Sequence, residues 1–155
     1  GVMGDTLFQA FAMPSDSTRL AHRNRPSYRA MMAEQQEGKD WITGARLTVP
    51  CIDHDHETGL CRLILNRATN TFEGKVRAVL LAQGWSPQRF AQPLFDAWQS
   101  HTELTPILYE IALEVWPYLT WERFLMYIRN LAVYYGTAWV YYDHLLYEKP
   151  STTGH

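Results

Sequence analysis

The chain has 155 residues, 46% of them hydrophobic and 14% aromatic, with a formal net charge of −2. That length suits one domain, or a small domain with a packed extension, and the apolar content excludes global disorder. The two cysteines, Cys51 and Cys61, make no Cys-x-x-Cys pair, so the usual thiolate zinc site is excluded. No apolar run approaches the roughly 18 residues that suggest a membrane span.

The charge is unevenly spread. Residues 1–89 carry eleven Lys and Arg against nine Asp and Glu, while the remainder carries three against seven. A net-positive first part suits a phosphate backbone, although ordinary solvated charges fit equally well on charge alone. The N-terminus lacks a basic stretch followed by an apolar one, so nothing suggests export. The cysteines are therefore expected as reduced thiols in a cytoplasm, though ten residues apart they could also face each other across a hairpin.

Residues 1–25 read as an N-terminal arm, with an apolar patch (Leu7, Phe8, Phe11, Met13) ahead of an arginine-rich run. A helix opened by Pro26 follows, with Tyr28, Met31 and Met32 on its buried side and Gly38 at its end. Lys39 to Val49 predicts a loop and short strand, Trp41 and Ile42 tucked inward and Gly44 in a turn. From Ile52 to Leu65 the pattern predicts a β-hairpin turning near Glu57-Thr58-Gly59. Asn66 to Gln83 predicts a helix with Phe72, Val76, Val79 and Leu80 on one side, stopped by Gly84.

The rest is predicted helical. Ser86-Pro87 and Thr105-Pro106 look like caps followed by a first-turn proline, and Thr120-Trp121-Glu122 is a third start. The last helix is expected to reach about Tyr147, with Trp121, Phe124, Leu125, Ile128, Leu131, Tyr135, Trp139, Tyr142 and Leu146 at helical spacing. Fifteen of the 21 aromatics lie beyond residue 89, which invites base stacking. Helical spacing and an acidic balance favour a core or a helix–helix interface instead. The expected fold is mainly α with a small β-hairpin: an arm at 1–25, a hairpin–helix unit at 26–85, a helical packing or oligomerisation extension at 86–149, and a flexible tail at 150–155.

Within the hairpin, Asp53-His54-Asp55-His56 places two acids and two imidazoles in four consecutive positions. A strand–turn–strand–helix unit would gather Asp53, His54, His56 and Asn70 around one point. Carboxylate, imidazole and carboxamide groups so gathered can bind a divalent cation and activate water. Asp55 reads as a structural acid and Glu57 as a turn residue. His22, His101, His144 and His155 have no partnered spacing.

Four segments carry a resemblance: Tyr28 to Gln35, Gly38 to Gly44, Ile52-Asp-His-Asp-His-Glu-Thr-Gly59 and Arg62-Leu-Ile-Leu-Asn-Arg-Ala-Thr-Asn70. Together they resemble the recombination endonuclease VII family of His-Me finger (HNH-type) nucleases, known largely from bacteriophages and prophages. The resemblance covers roughly residues 28–83. It implies a ββα-metal finger embedded in a helical protein and a metal-dependent DNA endonuclease, leaving 5′-phosphate and 3′-hydroxyl ends, with branched DNA as one substrate. It assigns Asp53 and Asn70 as ligands of Mg²⁺ (or Mn²⁺), His54 as general base, and His56 as a catalytic histidine near the phosphate. Arg62, Arg67 and Lys75 are the cations expected to grip neighbouring phosphates. Homodimerisation is implied too, because relatives of this family are dimers and a two-fold enzyme can cut opposing strands.

One departure stands out. Many members of the family carry two Cys-x-x-Cys pairs that bind a structural zinc; here those positions are Asp40 and Thr43, then Asn66 and Thr69. No structural zinc is therefore expected, and these polar side chains are expected to tie the loop to the helix by hydrogen bonds. Two other readings stand beside the enzyme. One is a noncatalytic descendant that keeps the finger as a DNA- or protein-binding module, and the other is a structural partner acting through the aromatic helices.

Overall fold

The computed structural model describes residues 25–54, 56 and 61–137. The expectations for the N-terminal arm before Arg25, the hairpin turn with Asp55 and Glu57, and the chain beyond Thr137 lie outside those residues. The fold is mainly helical with one small antiparallel hairpin. In order it runs α1 (Arg25–Gln35), β1 (Pro50–His54), β2 (Cys61–Asn66), α2 (Arg67–Ala82), a 3-10 turn (Pro87–Arg89), α3 (Ala91–Ser100), α4 (Leu104–Val115) and α5 (Trp121–Thr137). Among the described residues no helix is long and apolar enough to cross a membrane.

The hairpin is irregular in a way that matters. Ile52 pairs with Ile64 and His54 with Cys61, so two residues of β2, Arg62 and Leu63, lie opposite Asp53 alone. This β-bulge carries one extra residue and turns the strand locally. Cys61 to Leu65 are all buried, where a regular strand would alternate. The register also puts Cys51 opposite Leu65 and Cys61 opposite His54, so the cysteines do not face each other, and neither is in a disulfide.

Side chains rather than a third strand close the other edge of β2. Gln36, fully buried, donates from Nε2 to the Ile64 carbonyl at 2.8 Å and accepts from the Ile64 amide through Oε1 at 2.7 Å. Tyr28 donates its hydroxyl to the Arg62 carbonyl at 2.7 Å. Buried backbone groups must find partners, and α1 and the turn that follows it supply them here.

One hydrophobic core runs through both parts of the chain. Tyr28, Met32, Trp41, Ile42, Leu63, Phe72 and Leu80 join Phe90, Leu94, Leu108, Phe124, Ile128 and Tyr134 in a continuous cluster. α5 is its spine and packs along α3. Buried polar contacts fasten α5 to the loop and the hairpin, among them Asn130 Nδ2 donating to the Ile42 carbonyl at 2.9 Å and the Leu63 amide donating to the Tyr134 hydroxyl at 3.2 Å.

Three expectations are corrected. Met31 is 42% exposed, because α1 is covered only along the line of Tyr28 and Met32. Thr105 lies inside α4, not at its cap; its hydroxyl donates to the Ala97 carbonyl at 2.9 Å and locks α4 against the end of α3. Ser86-Pro87 opens only the 3-10 turn, and α3 starts at Ala91. Thr120 does cap, its Oγ1 accepting from the Arg123 amide at 3.2 Å.

Candidate functional site

The register pairs Pro50 with Asn66, and the Arg67 amide donates to the Val49 carbonyl at 3.0 Å, so α2 starts beside the beginning of β1, while His54 lies at the other end of the hairpin opposite Cys61. His54 is exposed at the end of β1, and its ring stacks on His56 with centroids 4.7 Å apart and planes 14° from parallel. Burial lowers the His56 pKa first, then the nearby Arg77 charge and the neighbouring His54. His56 is therefore held toward its neutral form. Asn70 lies in the first turns of α2, half-buried.

Asp53 is only 2% exposed. Its Oδ2 accepts from Arg62 Nε at 2.8 Å and from the Tyr134 hydroxyl. Burial pushes the Asp53 carboxyl above the usual carboxylate range, while the Arg62 charge opposes that rise. Arg62 is itself buried at 7% exposure, with its guanidinium carbon 5.0 Å from the Tyr134 ring centre and 5.7 Å from that of Tyr135. Its Nη2 also reaches the His54 carbonyl at 3.4 Å. The bulge explains the arrangement: with Arg62 and Leu63 both opposite Asp53, the guanidinium turns into the core beside the acid. Arg62 is thus an internal partner of Asp53 and not a surface cation free to grip a phosphate.

The other two expected phosphate contacts differ from each other. Arg67 is exposed at the start of α2. Lys75 is exposed too, but its Nζ pairs with Glu114 of α4. A second buried acid lies alongside. Glu73, 1% exposed, accepts two bonds from Arg77 at 3.0 and 3.1 Å and one from the Tyr135 hydroxyl at 2.7 Å. The Arg77 and Tyr135 bonds hold its pKa below the usual glutamate value against the opposing effect of burial. The sequence reading singles out neither Glu73, Arg77 nor Tyr134, and it names Tyr135 only as a packing residue of the last helix. The Glu73–Arg77 spacing of four was a visible signal for their mutual pairing, but nothing local pointed to the tyrosines.

A Mg²⁺ or Mn²⁺ ion needs oxygen donors and keeps several waters, so few protein ligands suffice. The Asp53 carboxylate and the Asn70 carboxamide are donors of that kind, and both bonds described for Asp53 fall on one oxygen, Oδ2. Among the described residues no group of three or more His, Cys, Asp or Glu side chains is arranged around a cation position.

The four positions expected to fasten the loop to the helix fall in one place. Asp40, fully buried, accepts from the amides of Ile42 at 3.0 Å and Thr43 at 3.3 Å through Oδ1, and from the Asn66 amide at 3.0 Å through Oδ2. Thr69 of α2 adds a side-chain hydrogen bond to the same carboxylate. Burial raises the Asp40 pKa, and these bonds oppose the rise. Asn66 does not cap α2; its Oδ1 accepts from the amides of Thr48 at 2.8 Å and Val49 at 3.2 Å, and its Nδ2 donates to the Arg46 carbonyl at 2.8 Å. Thr43 Oγ1 accepts from the Ala45 amide at 3.2 Å, inside a turn where Gly44 has φ +75°. A left-handed φ at that turn suits a residue without Cβ. Purified protein is expected to carry no stoichiometric zinc by elemental analysis; one tightly bound zinc per chain would show that these side chains do not do the fastening alone.

Comparison with protein-family models, with curated proteins and with solved structures finds no match for this chain. The functional reading therefore rests on the residues and their placement.

Proposed function

We propose that the chain is a metal-dependent DNA endonuclease, a His-Me finger nuclease of the endonuclease VII type without the structural zinc. One observation carries this reading. His54 stands exposed at the end of β1, stacked on His56 and adjacent to the buried Asp53, with Asn70 in the first turns of the following helix. An exposed imidazole at neutral pH has the proton affinity to take a proton from an attacking water. Burial and then the Arg77 charge lower the His56 pKa, so the ring stacked on His54 is held toward its neutral form. Arg62 and Tyr134 fix the orientation of Asp53 from behind. A Mg²⁺ or Mn²⁺ ion held by Asp53 and Asn70 would stabilise charge on the phosphate and on the departing oxygen. Arg67 faces solvent, where a DNA backbone can reach it. A homodimer would present two such sites to opposing strands, and branched DNA is the substrate that arrangement suits.

Incubation with supercoiled plasmid and with a four-way junction, in Mg²⁺, Mn²⁺ or EDTA, tests the reading beside His54→Ala. Cutting is expected with either metal and not in EDTA, and the alanine variant is expected to cut at least about a hundredfold more slowly. Undiminished cutting by the variant would assign the activity to another site. A second reading, a noncatalytic finger that binds DNA or protein, is favoured by the Arg62–Asp53 pair, which already neutralises the acid. Binding without cutting across all metals would select it.

A further inference from the structure

We propose that Arg77 is a phosphate anchor of this site, aimed by Glu73 and, through Glu73, by Tyr135 of the last described helix. The inference rests on the nuclease reading and adds a residue to it. Asn70, Glu73 and Arg77 follow one another at spacings of three and four, so they lie along one face of α2. That face carries Asn70 at the proposed cation position and Arg77 two turns further along.

The clamp on Arg77 differs from an ordinary surface ion pair. Nε and Nη2 bind the two oxygens of Glu73 at 3.0 and 3.1 Å, and the Tyr135 hydroxyl holds the same carboxylate at 2.7 Å. The acid side chain is 1% exposed, whereas the guanidinium side chain is 21% exposed. In the Lys75–Glu114 pair, by contrast, both partners are exposed and can wander. A guanidinium has five N–H donors in a fixed fork, so a grip through Nε and Nη2 leaves Nη1 for an outside oxygen. After burial, the Arg77 charge is the largest cause lowering the His56 pKa, ahead of the stacked His54. Arg62, by comparison, is buried under two tyrosine rings and spent on Asp53.

An isolated i,i+4 pair explains the two Arg77–Glu73 bonds but not the third donor from a helix more than 60 residues away in sequence. Fixing the fork in advance lowers the ordering cost of meeting a phosphate. Tyr135 is accordingly a positioning residue, and the aromatic C-terminal helix is part of the DNA site without stacking on bases.

The test is fluorescence anisotropy of a labelled duplex in EDTA, which prevents cutting, over a range of salt. Wild type is compared with Arg77→Gln, Arg77→Lys, Tyr135→Phe and the Arg77→Gln/Tyr135→Phe pair. Arg77→Gln is expected to weaken binding about tenfold and to lower the salt slope by about one. Arg77→Lys is expected to keep the slope and lose part of the affinity, because it retains the charge without the fork. Tyr135→Phe is expected to weaken binding alone and to add nothing once Arg77 is glutamine. Wild-type affinity and slope in Arg77→Gln, or an undiminished Tyr135→Phe effect on that background, would overturn the inference while leaving a wild-type protein that cuts DNA as a nuclease. A wild type that neither binds nor cuts would overturn the nuclease reading and this inference together.

Discussion

Asp40→Ala is expected to cost about 4 kcal/mol of stability, because it removes the acceptor for three backbone amides and for Thr69 at once. In a domain of this size that lowers the melting temperature by roughly 10 °C. The amides of Ile42 and Thr43 sit in a buried turn, where water cannot easily replace the carboxylate. Asp40→Asn separates shape from charge. Its carbonyl oxygen can still serve the turn, but its NH₂ then faces the Asn66 amide donor, so about half the loss is expected. Urea denaturation of the three proteins measures the differences. An alanine variant within about 1 kcal/mol of wild type would show that the loop and α2 hold together by apolar packing alone.

Arg62→Met is expected to cost about 3–5 kcal/mol, since it strands the Asp53 carboxylate in the core with Tyr134 as its remaining donor. Replacing both partners, as Asp53→Leu with Arg62→Met, is expected to cost less than Arg62→Met alone. Removing the pair removes the desolvated charge as well as its counterion. The pH dependence follows from the direction of the Asp53 shift. Burial raises that carboxyl in the folded chain, and loss of Arg62 removes the charge that opposes the rise. An acid raised above its unfolded value takes up a proton more readily when folded. Its contribution is fully present below the unfolded carboxylate pKa and is lost as pH rises through the folded one. The deficit of Arg62→Met relative to wild type should therefore shrink as the pH falls from neutral into the acid range. A deficit that stays constant with pH, or a double variant worse than the single, would contradict the assignment of Arg62 as the counterion of a buried charge.

The two experiments probe opposite ends of the hairpin. At the loop end, Asp40 serves backbone donors of the turn and of Asn66, with Thr69 as the helix contact. At the other end, Asp53 is neutralised by a cation from its own hairpin and oriented by a tyrosine from α5. Neither acid is on the surface, and both depend on donors supplied by distant segments. Asn130, Tyr134 and Tyr135 are side chains by which α5 reaches the loop, the hairpin and α2.

Sequence by itself determined the order of elements and most of their inner faces. Proline and threonine starts, glycine stops and periodic apolar residues are local signals, so α1, the inward Trp41 and Ile42, the hairpin and the helix after Asn66 could be read from short windows. The four polar residues at 40, 43, 66 and 69 are marked by the family resemblance, as the positions where its members carry zinc cysteines. Tertiary structure alone decided which charges are spent and which remain available. Arg62 reads like a surface cation until a one-residue bulge turns it inward, and Lys75 looks free until α4 brings up Glu114. Tyr134 fell between the residues expected on the buried stripe of α5. A helical period predicts which side of a helix is covered, but it does not say that a buried hydroxyl there will meet an acid 81 positions earlier in the chain. Hydrogen-bond partners at such separations are fixed by how helices and hairpin pack, and a single sequence carries that information only through the whole fold.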